Sequence, residues 1–220
     1  MRLTLFDLDH TLLNGDTDEL WCRFLMDEGV LDRSTFEPLN EAMARDYRSG
    51  RVATEDFCNF YIGTLAGRRR DDWLALRSAF VDTQIKPRLW PSAAALLARH
   101  RDAGDLLVLT TATNRFLGEP VAAVLGIDEL IATECELDEQ GRFSGRCLGQ
   151  PNMRDGKVQR LHAWLTSRGM TLGEYDSTAY SDSINDLPLL CAVQQAVAVN
   201  PDDALCAEAQ RRGWPVQVLD

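Results

Sequence analysis

Basic charge is scarce in this chain: 23 Lys and Arg face 34 Asp and Glu, a formal net charge of −11. A protein that coats nucleic acid needs a basic surface, so no nucleic-acid partner is expected, and any anionic ligand must be held by local cations against the overall field. The one basic cluster, Arg68-Arg69-Arg70, runs straight into Asp71-Asp72 and reads as a solvated loop or helix start. Long apolar runs are also missing. Stretches such as LLVL at 106–109 fall far short of the ~20 residues that cross a bilayer. The opening MRLTLFDLDH puts acidic and polar groups where a signal peptide needs an apolar stretch, so a cytoplasmic location with no membrane partner is the expectation. The six cysteines form no CxxC pair and no zinc-ligand spacing, and Cys191 sits in apolar LLCAV, so free thiols are expected. Internal repeats and low-complexity tracts are absent.

What is present is an ordinary globular composition, 45% apolar and 26% charged over 220 residues. That length suits one large domain, or one domain carrying an insertion. LTLFDLD is a short apolar run ending abruptly in carboxylates, the pattern of a buried parallel strand with function at its carboxyl end. From Asp16 to about Asp82 the period becomes helical, with Leu20, Trp21, Phe24 and Leu25 recurring, then Phe57, Phe60 and Tyr61, and no convincing strand. Thr17 or Asp18 is placed to cap the first of these helices and Thr54 another. Trp21, Phe24, Phe60 and Tyr61 read as bundle core.

After Pro87, helices near 91–102, 116–125, 156–168 and 202–212, with a short one after Asp186, alternate with strands DLLVLT, Leu130–Thr133, STAYS, AVAVN and PVQVL. ECELDEQGRFSGRC reads as a hairpin turning at Gln140-Gly141. The expected fold is therefore α/β: a doubly wound, Rossmann-like parallel sheet made of 1–15 and 86–220, with an all-helical cap domain at 16–85.

Four clusters carry chemistry. Asp7 and Asp9 can converge where the first strand ends, as nucleophile and proton donor, a pair that needs a cation to relieve its repulsion. Read blandly, they are two solvated loop carboxylates. Asp182, Asn185 and Asp186 offer hard oxygen ligands of the kind Mg²⁺ takes, or equally caps for the helix at LPLL. Thr110-Thr111-Ala112-Thr113 combines hydroxyls with small residues that let backbone N–H groups approach an anion, though an N-cap serves as well. Lys157, opening a helix, can reach a phosphate oxygen; taken alone it reads as a surface lysine.

In this order the four clusters resemble the haloacid dehalogenase superfamily, with Asp7-Leu8-Asp9-His10-Thr11, Thr111, Lys157 and Asp182…Asp186 at its motif positions. SDSINDLPLL and FDLDHTLLNGD are similar to the phosphoserine phosphatase-like branch, subfamily IB, and the helical insert resembles its type I cap. The resemblance implies a Mg²⁺-dependent phosphatase acting on a small phosphorylated metabolite. Asp7 forms an aspartyl-phosphate and Asp9 serves as acid, then base. Thr111, the backbone at Ala112 and Lys157 hold the phosphoryl oxygens. Asp7, Asp9 and Asp182 hold the metal, supported by Asn185 and Asp186. An acid at position 9 argues for an alkoxide leaving group; in this superfamily dehalogenases lack it and P-type ATPases carry threonine.

For specificity, the branch's amine-binding glutamate falls on Asp16, and its carboxylate-binding arginine falls near Asn59, where there is no cation. Arg51 or Arg115 are the available replacements, so L-phosphoserine is not expected as the main substrate. The rival expectations are a phospho-acceptor receiver module and a phosphotransferase on the same fold. A receiver is near 120 residues and has no helical insert. A monomer or homodimer is expected.

Overall fold

The computed structural model describes residues 1–220, the side chain of Arg48 excepted. β1 (Arg2–Phe6) is the central strand of a six-stranded, all-parallel sheet. Its companions are β2 (Leu106–Asn114), β3 (Glu129–Thr133), β6 (Asp176–Ser181), β7 (Gln195–Val199) and β8 (Val216–Gln217), in the order β3-β2-β1-β6-β7-β8. The order reverses direction beside β1, so the carboxyl ends of β1, β2 and β6 open onto a crevice, where doubly wound sheets bind ligands. Alternation along β1 divides the core. Leu3 and Leu5 join a cluster with Leu161, Leu165 and Leu205 on one face, while Phe6 joins Leu97, Leu109 and Phe116 on the other. Thr4, also buried on β1, donates to Asp105 at 3.1 Å.

Between β1 and β2 the chain is helical: α1 (Thr17–Asp27), α2 (Arg33–Arg48), α3 (Thr54–Gly63) and α4 (Leu74–Phe80), followed by a π turn at Val81–Ile85 and then α5 (Pro91–Asp102). Trp21, Phe24, Trp73 and Phe80 of this segment lie in the same apolar cluster as Phe6 and Leu8, so the insert packs directly onto the crevice side of the sheet. Both buried indoles are satisfied: Trp21 donates to Thr64 Oγ1 at 3.1 Å and Trp73 to the Leu65 carbonyl at 3.2 Å. A smaller cluster of Cys22, Phe57, Cys58, Tyr61 and Ile62 closes on Met153 of the sheet half.

The remaining elements are α6 (Arg115–Leu125), the antiparallel hairpin β4 (Cys135–Leu137) and β5 (Phe143–Cys147), α7 (Asp155–Thr166), α8 (Leu187–Ala192) and α9 (Asp203–Arg212). The hairpin turns where expected. Gly141 adopts φ 73°, and the Asp138 carboxylate accepts the N–H groups of Gln140 and Arg142 at 2.9 Å each.

Three local readings change. Asp16, not Thr17 or Asp18, caps α1, accepting from Glu19 N at 2.9 Å, because Thr17 is the first helical residue and its own hydroxyl is used elsewhere. Ala53 occupies the N-cap of α3 and Thr54 is the first helical residue, without a side-chain cap bond. PVQVL contributes only two residues of edge strand, since β8 pairs with β7 alone. All six cysteines are free thiols, and no helix among the described residues is long and apolar enough to cross a membrane.

Candidate active site

The end of β1 folds back on itself. Asp7 N makes a last sheet bond to the Tyr180 carbonyl, and Leu12 and Leu13 N then return to the Leu8 carbonyl, a curl for which His10 takes φ 58°. This loop faces the end of β6 across one hydroxyl. Thr11 Oγ1 lies 3.0 Å from Asp7 Oδ2 and 3.1 Å from Asp182 Oδ1, and accepts Asp182 N–H at 3.0 Å. Two carboxylates 175 positions apart in the chain thus meet at a single threonine, and its one proton can serve only one of them at a time.

Lys157 is not on the surface. At 2% exposed, its ammonium stands 2.6 Å from Asp7 Oδ1 and 2.5 Å from Asp186 Oδ2, with Ser181 Oγ donating to the same Asp186 oxygen at 2.7 Å. Burial depresses a lysine, but the two carboxylates outweigh it and hold Lys157 above its ordinary range. Asp7 is raised as well, to about 7: burial leads, and repulsion from Asp186 and Asp9 adds to it against the pull of Lys157. Asp182 is raised well above the usual carboxylate range by burial and by Asp7 and Asp186.

Asp9 is held from two directions. Its Oδ1 accepts from Thr17 N at 2.7 Å and from the Thr17 hydroxyl, so the start of α1 grips it. Its Oδ2 accepts from Thr113 Oγ1 at 2.7 Å, while the Thr111 hydroxyl stands farther off at 3.4 Å. Thr111 Oγ1 also accepts Thr113 N–H at 3.1 Å. Thr110 faces away, its hydroxyl meeting Asn152 Nδ2 at 3.1 Å. In the sequence Thr113 is one member of the TTAT string, and no signal separates it from its neighbours.

A cavity of about 520 Å³ lies between the insert and the sheet, and its walls include Asp7, Asp9, Asp16, Asp182, Asn185 and Asp186 together with Ala112 and Thr113. Asn185 accepts from Arg154 Nε at 3.3 Å. Asp18, Tyr47, Phe57 and Met153 also reach the cavity; the sequence marks Asp18 as a helix cap and Phe57 as part of a helical period, and gives no sign that any of the four belongs to the site. Trp21, Phe24 and Tyr61 are buried in the packing of the insert, and the aromatic face of the cavity comes from Tyr47 and Phe57, with ring centroids 4.2 Å apart.

Two of the three specificity candidates are elsewhere. Asn59 turns to the hairpin and accepts Cys147 N–H at 2.9 Å, while Arg115 is clamped by both oxygens of Glu134 at 2.8–2.9 Å. Arg51 pairs with Asp46 at 2.7 Å among exposed groups. Asp16 alone of that set lines the cavity.

The donor set suits a hard divalent cation. Asp7, Asp182 and Asp186 are buried or nearly so around one ammonium, an excess of negative charge that a low-dielectric site does not tolerate uncompensated. Among the described residues no group of three or more His, Cys, Asp or Glu side chains is placed to hold a metal ion by itself, and Mg²⁺ takes one or two carboxylates and keeps waters.

A family model described as haloacid dehalogenase-like hydrolase matches residues 4–190, a span that runs from β1 through α8. The chain belongs to that family. It is 40% identical over 216 residues to a histidinol-phosphatase of Neisseria meningitidis, spanning 98% of this chain and 97% of that one. It is 31% identical over 222 residues to a phosphoserine phosphatase of Mycobacterium tuberculosis, covering 96% and 69% of the two. A crystal structure from Bordetella pertussis Tohama I, of unknown function, superposes with TM-score 0.93 at 41% identity over 100% of this chain and 98% of its own. A substrate-bound phosphoserine phosphatase gives TM-score 0.70 at 17% identity over 98% and 92%, a likeness of fold. As a hydrolase of this family with phosphatases for relatives, the enzyme is a phosphoric monoester hydrolase rather than a receiver module.

Proposed function

We propose that the enzyme is a Mg²⁺-dependent phosphatase that hydrolyses a small phosphomonoester through an aspartyl-phosphate on Asp7. The observation that carries this is the junction at Thr11 and Lys157, where Asp7, Asp182 and Asp186 converge at one end of the cavity. Asp7, the Asp9 carbonyl and Asp182 would hold the cation, with Asn185 nearby. Bound there, it supplies positive charge that lets an anionic nucleophile approach a phosphate dianion.

The chain's own groups do the rest. Asp7 attacks phosphorus in line and the ester oxygen departs. Asp9, its carboxyl aimed by Thr17 and Thr113, gives that oxygen a proton, then takes one from the water that opens the acyl phosphate and frees Asp7. Lys157, fixed by Asp186, and the N–H of Ala112 would meet the charge spread on the phosphoryl oxygens, the Thr113 N–H being taken by Thr111 Oγ1. The insert covers the crevice, so these charges act in a medium poorer in water, where each is worth more.

The leaving group is read from the walls. Asp16 offers a carboxylate and Tyr47 with Phe57 a flat apolar face, while no arginine considered for a substrate carboxylate reaches the cavity. Such a lining suits the phosphate ester of a cationic alcohol better than phosphoserine, in keeping with the name of the Neisseria relative. Turnover of histidinol phosphate and O-phosphoserine, with and without chelator, tests the reading. Mg²⁺-restored release of phosphate, with the first ester preferred, is expected. Chelator-resistant turnover would remove the metal from it, and transfer of the phosphoryl group to added alcohols instead of water would make the enzyme a phosphotransferase.

A further inference from the structure

Asp18 is a buried carboxylate with no part in the chemistry above. It is 5% exposed and it lines the cavity, yet among the described residues no cation pairs with it. Its recorded partner is the neutral amide of Asn114, Nδ2 to Oδ1 at 3.3 Å. That amide cannot turn around, because its oxygen caps α6 by accepting Leu117 N–H at 3.2 Å, so Asn114 presents its donor side to Asp18 and the carboxylate has a neutral partner there. A carboxylate buried beside a neutral amide is costly to ionise, and a cationic ligand offsets that cost. Asp16 stands two residues earlier at the helix cap, and the two carboxylates open on the same cavity as the Tyr47–Phe57 face.

We propose that Asp18 is a second recognition point for the leaving alcohol, so that the substrate carries two basic nitrogen groups: an ammonium met at Asp16 and a ring N–H met at Asp18. The inference rests on the phosphatase reading and on the cavity as the substrate's site, and it adds a residue with a defined chemical demand. Asp18 is a specificity residue; it touches the leaving group and not the reacting atoms. A ring lying on Phe57 and Tyr47 would present its edge, where an imidazole keeps its N–H, toward a carboxylate, while a phenyl ring offers that carboxylate nothing.

Two esters isolate the demand: histidinol phosphate and phenylalaninol phosphate share the amine and a ring and differ in the ring N–H. The wild-type enzyme is expected to favour the first by at least tenfold in kcat/KM, and Asp18→Asn to bring the two within about twofold, chiefly through KM. A preference that survives in Asp18→Asn overturns the proposal, and so does a wild-type enzyme that treats the esters alike. If Asp18→Asn does not fold, inhibition of the wild type decides: free histidinol must compete at least tenfold better than phenylalaninol, and equal inhibition overturns it. Failure of the wild type to hydrolyse any phosphomonoester, p-nitrophenyl phosphate included, overturns the phosphatase reading together with it.

Discussion

Asp9 shows how much one side chain's neighbours decide. Its two oxygens accept from Thr17 on one side and Thr113 on the other, so the carboxyl is aimed before substrate arrives. Asp9→Asn keeps an oxygen to accept from Thr17 and turns the contact with Thr113 round, the amide donating to Thr113 Oγ1, but it cannot exchange the proton. We expect it to slow an alkyl phosphate by about 10²–10⁴-fold, the usual span of general acid catalysis, and p-nitrophenyl phosphate far less, because that phenolate leaves unaided. Equal losses on the two esters, measured as kcat, would deny Asp9 the acid's part. Thr113→Val should give a milder form of the same selectivity. The spacing of Asp7 and Asp9 was plain in the sequence, whereas Thr113 was hidden among three threonines. Which hydroxyl faces Asp9 depends on the pleat and bulge of β2 near its end, where pairing with β3 shifts register between Thr111 and Asn114.

At the level of elements, the placement of Lys157 is a property of the entry to α7. Arg154 adopts φ 51°, and a Cβ on Gly156 would stand 2.1 Å from the Pro151 carbonyl oxygen, a backbone atom that cannot step aside. The close approach sets where the first turn of α7 begins, and Lys157 is the next residue. Gly156→Ala should therefore push that turn outward and loosen the contacts of Lys157 with Asp7 and Asp186. A fall in kcat of at least tenfold is expected, with a folded protein by circular dichroism; wild-type kcat would show that the loop absorbs the methyl elsewhere. The helix itself was legible in the sequence, but nothing local marked its lysine as buried. Asn59 is the converse case: the family resemblance put the carboxylate-binding position near it, and packing of α3 against β5 turned it to the hairpin backbone.

For the whole molecule, the charge imbalance is concentrated where the function lies. Asp7 in the folded chain is raised to about 7, above the ~3.9 of an unfolded aspartate, so the metal-free native state keeps a proton that the unfolded chain gives up. Stability of the chelated enzyme should then fall as pH rises from about 4 to about 7 and level off above, by on the order of a few kcal/mol. Thermal melts in chelator should show a higher Tm at pH 5 than at pH 7.5, and added Mg²⁺ should restore the loss at pH 7.5, since a cation bound only by the folded state stabilises it. A melting temperature indifferent to the metal at pH 7.5 would argue against a cation at Asp7 and Asp182.

The order of elements, the helical interruption after β1 and the acidic strand ends were determined by the sequence alone, because periodicity, caps and strand termini are local and leave their marks within a few residues. The partners of each side chain were decided by the tertiary structure. Asp7 with Asp182 through Thr11, Lys157 beneath them, Arg115 spent on Glu134 and Asp18 turned to the cavity are all contacts between distant parts of the chain. No spacing encodes such contacts, because a side chain's burial and its charge partners exist only once sheet, insert and hairpin have closed around it.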